Sequence, residues 1–186
     1  MNIVLRMLST LTLIGIVSGG LLSLVNDWSA PQIEQHMQEA VRRAISTVHP
    51  DGVRSEKIST DALEVYRVFD DEDRPVGYAM SITGNGFSDK ITLMVGVSED
   101  LDSISGIEIL KQTDTPGLGA RIVEPEFKNK FKGLRTTPQV EVIKQGNPAQ
   151  NEIQAITAAT ITSKAVVDIV NAHMNILKKL KAGKDL

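Results

Sequence analysis

Two short segments hold more hydroxyl groups and glycines than packing alone requires. In Thr157-Ala158-Ala159-Thr160-Ile161-Thr162-Ser163, four hydroxyls fall within seven residues. From Ile161 an amphipathic pattern begins at once, with Ala165, Val166, Ile169, Val170, His173, Ile176, Leu177 and Leu180 on one helical face. The hydroxyls therefore stand at a helix start, where unpaired N–H groups and the positive end of the helix dipole favour a phosphate. Threonine hydroxyls can donate to the same group. Plain N-capping also uses threonine or serine, but it needs one such residue and leaves the other three without a role.

The second segment is Thr113-Asp114-Thr115-Pro116-Gly117-Leu118-Gly119-Ala120-Arg121, directly after a strand-like run. Glycine permits positive φ and close approach of backbone to a flat ligand, and Pro116 fixes the turn. An ordinary strand-to-helix connection has the same composition, so the spacing alone leaves both readings open.

Other chemistry finds little support. The chain has no cysteine, which excludes disulfides, thiolate catalysis, cysteine-ligated iron–sulfur clusters and attachment of lipid through cysteine. His36, His49 and His173 are far apart with no ligand spacing, so no metal site is assigned. Asp70-Asp71-Glu72-Asp73 precedes Arg74-Pro75 and reads as a solvated hairpin turn rather than a cation loop. A hydrolase using a hydroxyl near Thr160 would have only Lys164 as a nearby base. No catalytic residue is assigned. A net charge of -3, no basic stripe, and one tryptophan, two tyrosines and four phenylalanines argue against nucleic acid. Any redox chemistry would use a borrowed cofactor.

The elements that must position these segments follow from hydropathy. Met7 to Val25 is an uncharged run of nineteen residues, about the length of helix that crosses roughly 30 Å of hydrocarbon. It exceeds the apolar core of a cleaved signal peptide, about 7 to 15 residues, and Pro31 follows the small-residue site Ser29-Ala30. We therefore expect a retained single-pass transmembrane helix. Arg6 and the amino terminus precede it and Asp27 follows, which places the rest of the chain outside the cytoplasm. Gly15 and Gly19 form a GxxxG pair, a weak signal because glycine is common in such helices. Beyond Pro31, Ile33, Met37, Ala40, Val41, Ala44, Ile45 and Val48 have helical spacing, and His49-Pro50-Asp51-Gly52 stops that helix. Strand-like runs lie at 63–69, 76–83, 91–97 and 104–110, a short helix at 124–131 and a further strand near 140–143. The expected organisation is a membrane anchor over 1–28, an amphipathic linker helix over 29–55 and an extracytoplasmic domain over 56–186. The fold class is α+β: a transmembrane helix, an antiparallel sheet and a long C-terminal helix.

Taken together and in order, several segments resemble one family. They are Gly86-Phe87-Ser88-Asp89-Lys90-Ile91-Thr92-Leu93-Met94-Val95-Gly96-Val97, Ile104-Ser105-Gly106-Ile107, Thr115-Pro116-Gly117-Leu118-Gly119 and Ala159-Thr160-Ile161-Thr162-Ser163-Lys164-Ala165-Val166. This is similar to the FMN-binding domain family found in the G subunit of Rnf-type electron transport complexes and the C subunit of the sodium-pumping NADH:quinone oxidoreductase. The resemblance implies an electron-carrier subunit of an ion-translocating complex that links ferredoxin and NAD, anchored in a bacterial inner membrane with its domain on the periplasmic side. It also implies one FMN per chain, esterified to Thr160 by a flavin transferase, with the other subunits and the bilayer as partners. The cofactor-binding residues implied are Thr157, Ala158, Ala159, Thr160, Ile161 and Thr162, with Thr115, Pro116, Gly117, Leu118 and Gly119 against the ring. The shorter chain points to the Rnf-type G subunit. A role like that of the sodium pump's C subunit and a flavin-free structural or assembly role are the alternatives. The family pattern has glycine, aspartate and glutamate where this chain has Ala158, Gln154 and Asp114. A methyl at Ala158 is tolerated at negative φ and strained in a left-handed backbone.

Overall fold

The computed structural model describes residues 2–60 and 63–183. Helix α1 runs unbroken over Ile3–Val48 with Pro31 inside it, so the apolar run and the amphipathic stretch form one helix. Among the described residues it is the one helix long and apolar enough to cross a membrane, with a mean hydropathy of 2.0 in its most apolar stretch. The chain divides into two compact units, one up to Ala40 and the other from Val41 onward.

The second unit is built on a six-stranded antiparallel sheet in sequential order. Its strands are β1 (Arg54–Thr60), β2 (Leu63–Phe69), β3 (Pro75–Asn85), β4 (Lys90–Ser98), β5 (Ser103–Lys111) and β6 (Leu134–Arg135). The four expected strands form β2 to β5. The polar edge strand β1 and the two-residue β6 were not anticipated. At the β2–β3 turn, Asp70 Oδ1 accepts from the backbone N–H groups of Glu72 (3.0 Å) and Arg74 (2.8 Å), which closes the expected hairpin.

Register explains how both faces of the sheet are covered. Val65, Met80, Val95 and Ile107 are cross-strand partners on one face, all buried in the larger core. Helix α3 (Thr160–Gly183) packs on that side through Val166, Val167, Ile169, Val170, Met174 and Leu177. One residue along, Tyr66, Ala79, Gly96 and Gly106 point to the opposite face. There the last turns of α1 bury Ala44, Ile45 and Val48 against Val68, Ala79 and Met94. A β-carbon at Gly96 would come within 2.8 Å of Val48 Cβ, so the absent side chain is what admits the helix end.

The connection from β5 to α3 is more segmented than a single helix over 124–131. It contains a 3-10 turn (Gly119–Val123), the four-residue helix α2 (Pro125–Lys128) and a second 3-10 turn (Asn129–Phe131). The physical reason is local. Pro125 starts α2, and tightening after Lys128 seats Phe131 edge-on to Phe127, with ring centroids 5.4 Å apart. A parallel pair follows, β7 (Glu141–Ile143) with β8 (Glu152–Gln154). Asn171 of α3 grips the residue before β7, accepting from Val140 N (3.0 Å) and donating to Val140 O (2.8 Å). Ala155 N then donates to Ile143 O (2.9 Å), which fixes where the chain enters the threonine-rich segment.

Candidate functional site

The start of α3 assigns its four hydroxyls to different tasks. Ser163 is fully buried. Its Oγ accepts from Ile156 N and donates to Ala159 O, both at 3.0 Å, and so closes the turn before the helix. Thr162 is also buried, and its Oγ1 donates to Asp114 Oδ2 at 2.5 Å. Thr157 is exposed and Thr160 half-exposed, so these two hydroxyls face outward. Ser163 N donates to Ala159 O (3.0 Å), which makes Ala159 the cap and Thr160 the first helical residue. The N–H groups of Thr160, Ile161 and Thr162 therefore have no acceptor within the helix, the arrangement that favours an anion.

Ala158 adopts φ +67. This is the left-handed backbone in which a methyl costs roughly 1–2 kcal/mol relative to glycine. Gln154 is exposed, and its carbonyl accepts from Lys130 Nζ at 3.1 Å.

The loop after β5 reaches this helix start. Leu118 N and Ala120 N both donate to Thr115 O at 3.2 Å, and Gly117 supplies φ +76 for the turn. A β-carbon at Gly119 would overlap the Asp114 carboxylate and lie 2.6 Å from Thr162 Oγ1. The second glycine is thus required first by the Asp114 carboxylate and then by contact with Thr162 of α3. Asp114 is only 9% exposed and accepts three hydrogen bonds: from Thr162 Oγ1, from Thr115 N (2.8 Å) and from Ser88 Oγ (3.1 Å). Burial pushes this carboxyl up, but the bonds from Thr162, Thr115 and Ser88 together outweigh it and hold the group below the usual carboxylate range.

The two segments singled out in the sequence therefore meet. They line one groove of about 120 Å³ with Phe87, Asp114, Thr115, Leu118 and Gly119 on one side and Ala158 to Thr162 on the other. Phe87, Leu118 and Ile161 leave 62%, 44% and 63% of their surface exposed along it, an apolar rim for a flat ring. Pro116 and Gly117 shape the loop without lining this groove, and Thr157 opens instead onto a neighbouring recess with Arg121, Lys130 and Gln154. Phe87 and Ser88 carried no assigned role on sequence grounds. The one signal available was an aromatic residue in a Gly86-Phe87-Ser88 connection with no hydrophobic period around it. Among the described residues no cluster of histidine, cysteine, aspartate or glutamate could hold a metal.

Residues 86–175 match the family described as FMN-binding domain. The chain is 28% identical over 178 residues to the G subunit of the ion-translocating oxidoreductase complex of Methanosarcina acetivorans, covering 91% of this chain and 92% of that one. It is 37% identical over 123 residues to the G subunit of the Na(+)-translocating ferredoxin:NAD(+) oxidoreductase complex of Acetobacterium woodii, covering 64% and 58% respectively. Among solved structures, the C subunit of the Na(+)-translocating NADH-quinone reductase of Parabacteroides distasonis superposes with a TM-score of 0.52 at 30% identity. That superposition covers 59% of this chain and spans 58% of the other.

Proposed function

We infer that this chain, which carries an FMN-binding domain over residues 86–175 and is a homologue of the G subunit of ion-translocating oxidoreductase complexes, is the electron-relay subunit of an Rnf-type membrane complex. That complex couples electron transfer between ferredoxin and NAD to ion translocation. The chain holds one FMN, esterified through its phosphate to the Thr160 hydroxyl.

The observation that carries this reading is the placement of Thr160. Its half-exposed hydroxyl begins α3 beside three N–H groups free of intrahelical acceptors, in the groove it shares with the Thr115–Gly119 loop. A phosphate on Thr160 Oγ1 would be neutralised by the helix end, while Ala158, Ala159, Ile161 and Thr162 set the backbone around it. Leu118, Phe87 and Ile161 offer apolar surface to the ring, Thr115 and Gly119 the loop wall, and Thr157, Pro116 and Gly117 shape the approaches. Bound FMN supplies one- and two-electron transfer, which no side chain here provides. At about 120 Å³ the groove is well below the roughly 300–1,000 Å³ of an enclosing ligand pocket. It covers part of a flat ring and leaves an edge open to a partner carrier.

The same reading assigns α1 to the inner membrane of a bacterium, with the domain on the periplasmic side because Arg6 precedes and Asp27 follows the apolar run. A covalent tether keeps the flavin from being lost there. Maturation then requires a flavin transferase, and turnover requires the other subunits of the complex. The near full-length alignment to a G subunit, against a partial superposition on a C subunit, favours the G-type complex.

The test is in-gel flavin fluorescence of the denatured full-length chain from its native host, beside Thr160→Val. A fluorescent wild-type band that the substitution abolishes is the expected result. A wild-type chain with no flavin absorbance would favour the structural or assembly role instead.

A further inference from the structure

The least expected group in the groove wall is the Asp114 carboxylate. It is nine-tenths buried, and each of its three partners is a neutral donor: the hydroxyls of Thr162 and Ser88 and the backbone N–H of Thr115. No lysine or arginine among the described residues forms an ion pair with it. Nearby Asp89 differs in this respect, since Lys90 and Lys111 act on it electrostatically. A buried negative charge stabilised only by dipoles keeps its field, because no opposite charge cancels it and little water screens it.

The three donors also come from three separate walls. Ser88 lies in the β3–β4 connection beside Phe87, Thr115 opens the loop that ends at Gly119, and Thr162 is in the first turn of α3. The carboxylate is thus both the tie that sets the groove's width and a fixed charge facing its interior.

We propose that Asp114 is a positioning and potential-setting residue, whose uncompensated carboxylate lowers the reduction potential of the FMN held in this groove. This role rests on the groove being the flavin site. Reduction by two electrons with one proton drawn from solvent gives the anionic reduced flavin, so the ring system gains one negative charge. A fixed negative charge in the wall opposes that gain, as like charges do.

The sign of the effect separates this role from simple structural support. Asp114→Asn removes the charge and keeps the shape, so the potential should rise. Thr162→Val keeps the charge but removes one dipole that offsets it, so the potential should fall. A loosened groove would move both variants in one direction. Asp114→Glu, which restores the charge, should stay on the wild-type side of the asparagine variant.

The experiment is a potentiometric titration of the purified, flavin-loaded full-length chain, with dithionite as reductant and mediator dyes. For Asp114→Asn the expected change is at least tenfold in the oxidised-to-reduced ratio at a fixed applied potential, about 30 mV for a two-electron couple. Equal potentials in wild type and Asp114→Asn, or shifts of the same sign in Asp114→Asn and Thr162→Val, would overturn the proposal. If Asp114→Asn does not load flavin, the sign for Thr162→Val decides: a more negative potential supports it and any other result overturns it. A wild-type chain that binds no flavin refutes the flavin-carrier function instead, so the two failures are distinguishable.

Discussion

Ala158, like Asp73 and Leu101, holds a left-handed backbone that favours glycine. At φ +67 a glycine would be unstrained. We predict that Ala158→Gly stabilises the folded domain by about 1 kcal/mol, the lower end of the left-handed penalty, and leaves flavin attachment intact. Urea denaturation of the full-length chain in detergent would check this; a loss of stability would mean that the methyl makes a contact worth more than the strain. Asp114 gives a second prediction at this scale. Its folded carboxyl lies below the ordinary range, so its contribution to stability is full above the unfolded value of about 3.9. It is lost as pH falls through the lower folded value. Acid unfolding curves of wild type and Asp114→Asn should therefore converge in strong acid, diverge as pH rises toward about 4, and stay a constant distance apart above it. The roles of these residues were only partly legible in the sequence. Four hydroxyls at a helix start announced a site, but nothing in their order tells that Ser163 and Thr162 serve the fold while Thr160 faces outward. The part of Thr162 in that division depends on Asp114, which is distant in sequence, and that of Ser163 on the turn it closes with Ile156 and Ala159.

Between elements, the decisive contact is the end of α1 on the outer face of the sheet. Val48 fits over Gly96 and Gly106, and His49, only 4% exposed, donates from Nε2 to Tyr78 O at 3.0 Å. A Gly96→Val substitution should cost several kcal/mol, because the new side chain would meet both the Val48 side chain and its carbonyl. Thermal unfolding of the full-length chain would measure it. Burial pushes His49 below its ordinary value of 6.5, an effect that Tyr78 O and Asp51 only partly offset. Its neutral form therefore stabilises the fold fully above about 6.5, and that stability is lost as pH falls toward the folded value. Between about pH 7.5 and 5.5 the wild type should lose stability more steeply than His49→Gln, as urea midpoints across that range would show. Most of this architecture was readable. Strand β2 and helix α3 leave a period of two and of 3.6, while β3 and β4, covered on both faces in the middle of the sheet, leave longer apolar runs. Strand β1 left none: in Arg54-Ser55-Glu56-Lys57-Ile58-Ser59-Thr60 only Ile58 is apolar, as suits an exposed edge. The stretch from 124 to 131 was legible as helical but not as α2 followed by a 3-10 turn, since Phe127 and Phe131 have the spacing of one continuous helix, and the turn over Gly119–Val123 was not anticipated.

On the scale of the whole molecule, a helix long and apolar enough to cross a membrane precedes a sheet domain in which two remote segments converge on one groove, the site we propose for the flavin. Their convergence is the part that no local pattern contained, because it depends on the sheet carrying residue 114 to the start of a helix at residue 160. The resemblance to a known family supplied the ligand; the fold supplies the reason that both motifs must occur together. The most direct test is a peptide mass measurement on the full-length protein from its native host, digested and searched for the fragment containing Thr160. This fragment should carry the mass of FMN less one water, with fragmentation placing it on Thr160 rather than Thr157, Thr162 or Ser163. An unmodified fragment, or FMN on another of these hydroxyls, would contradict the assignment of Thr160 as the flavin's attachment point.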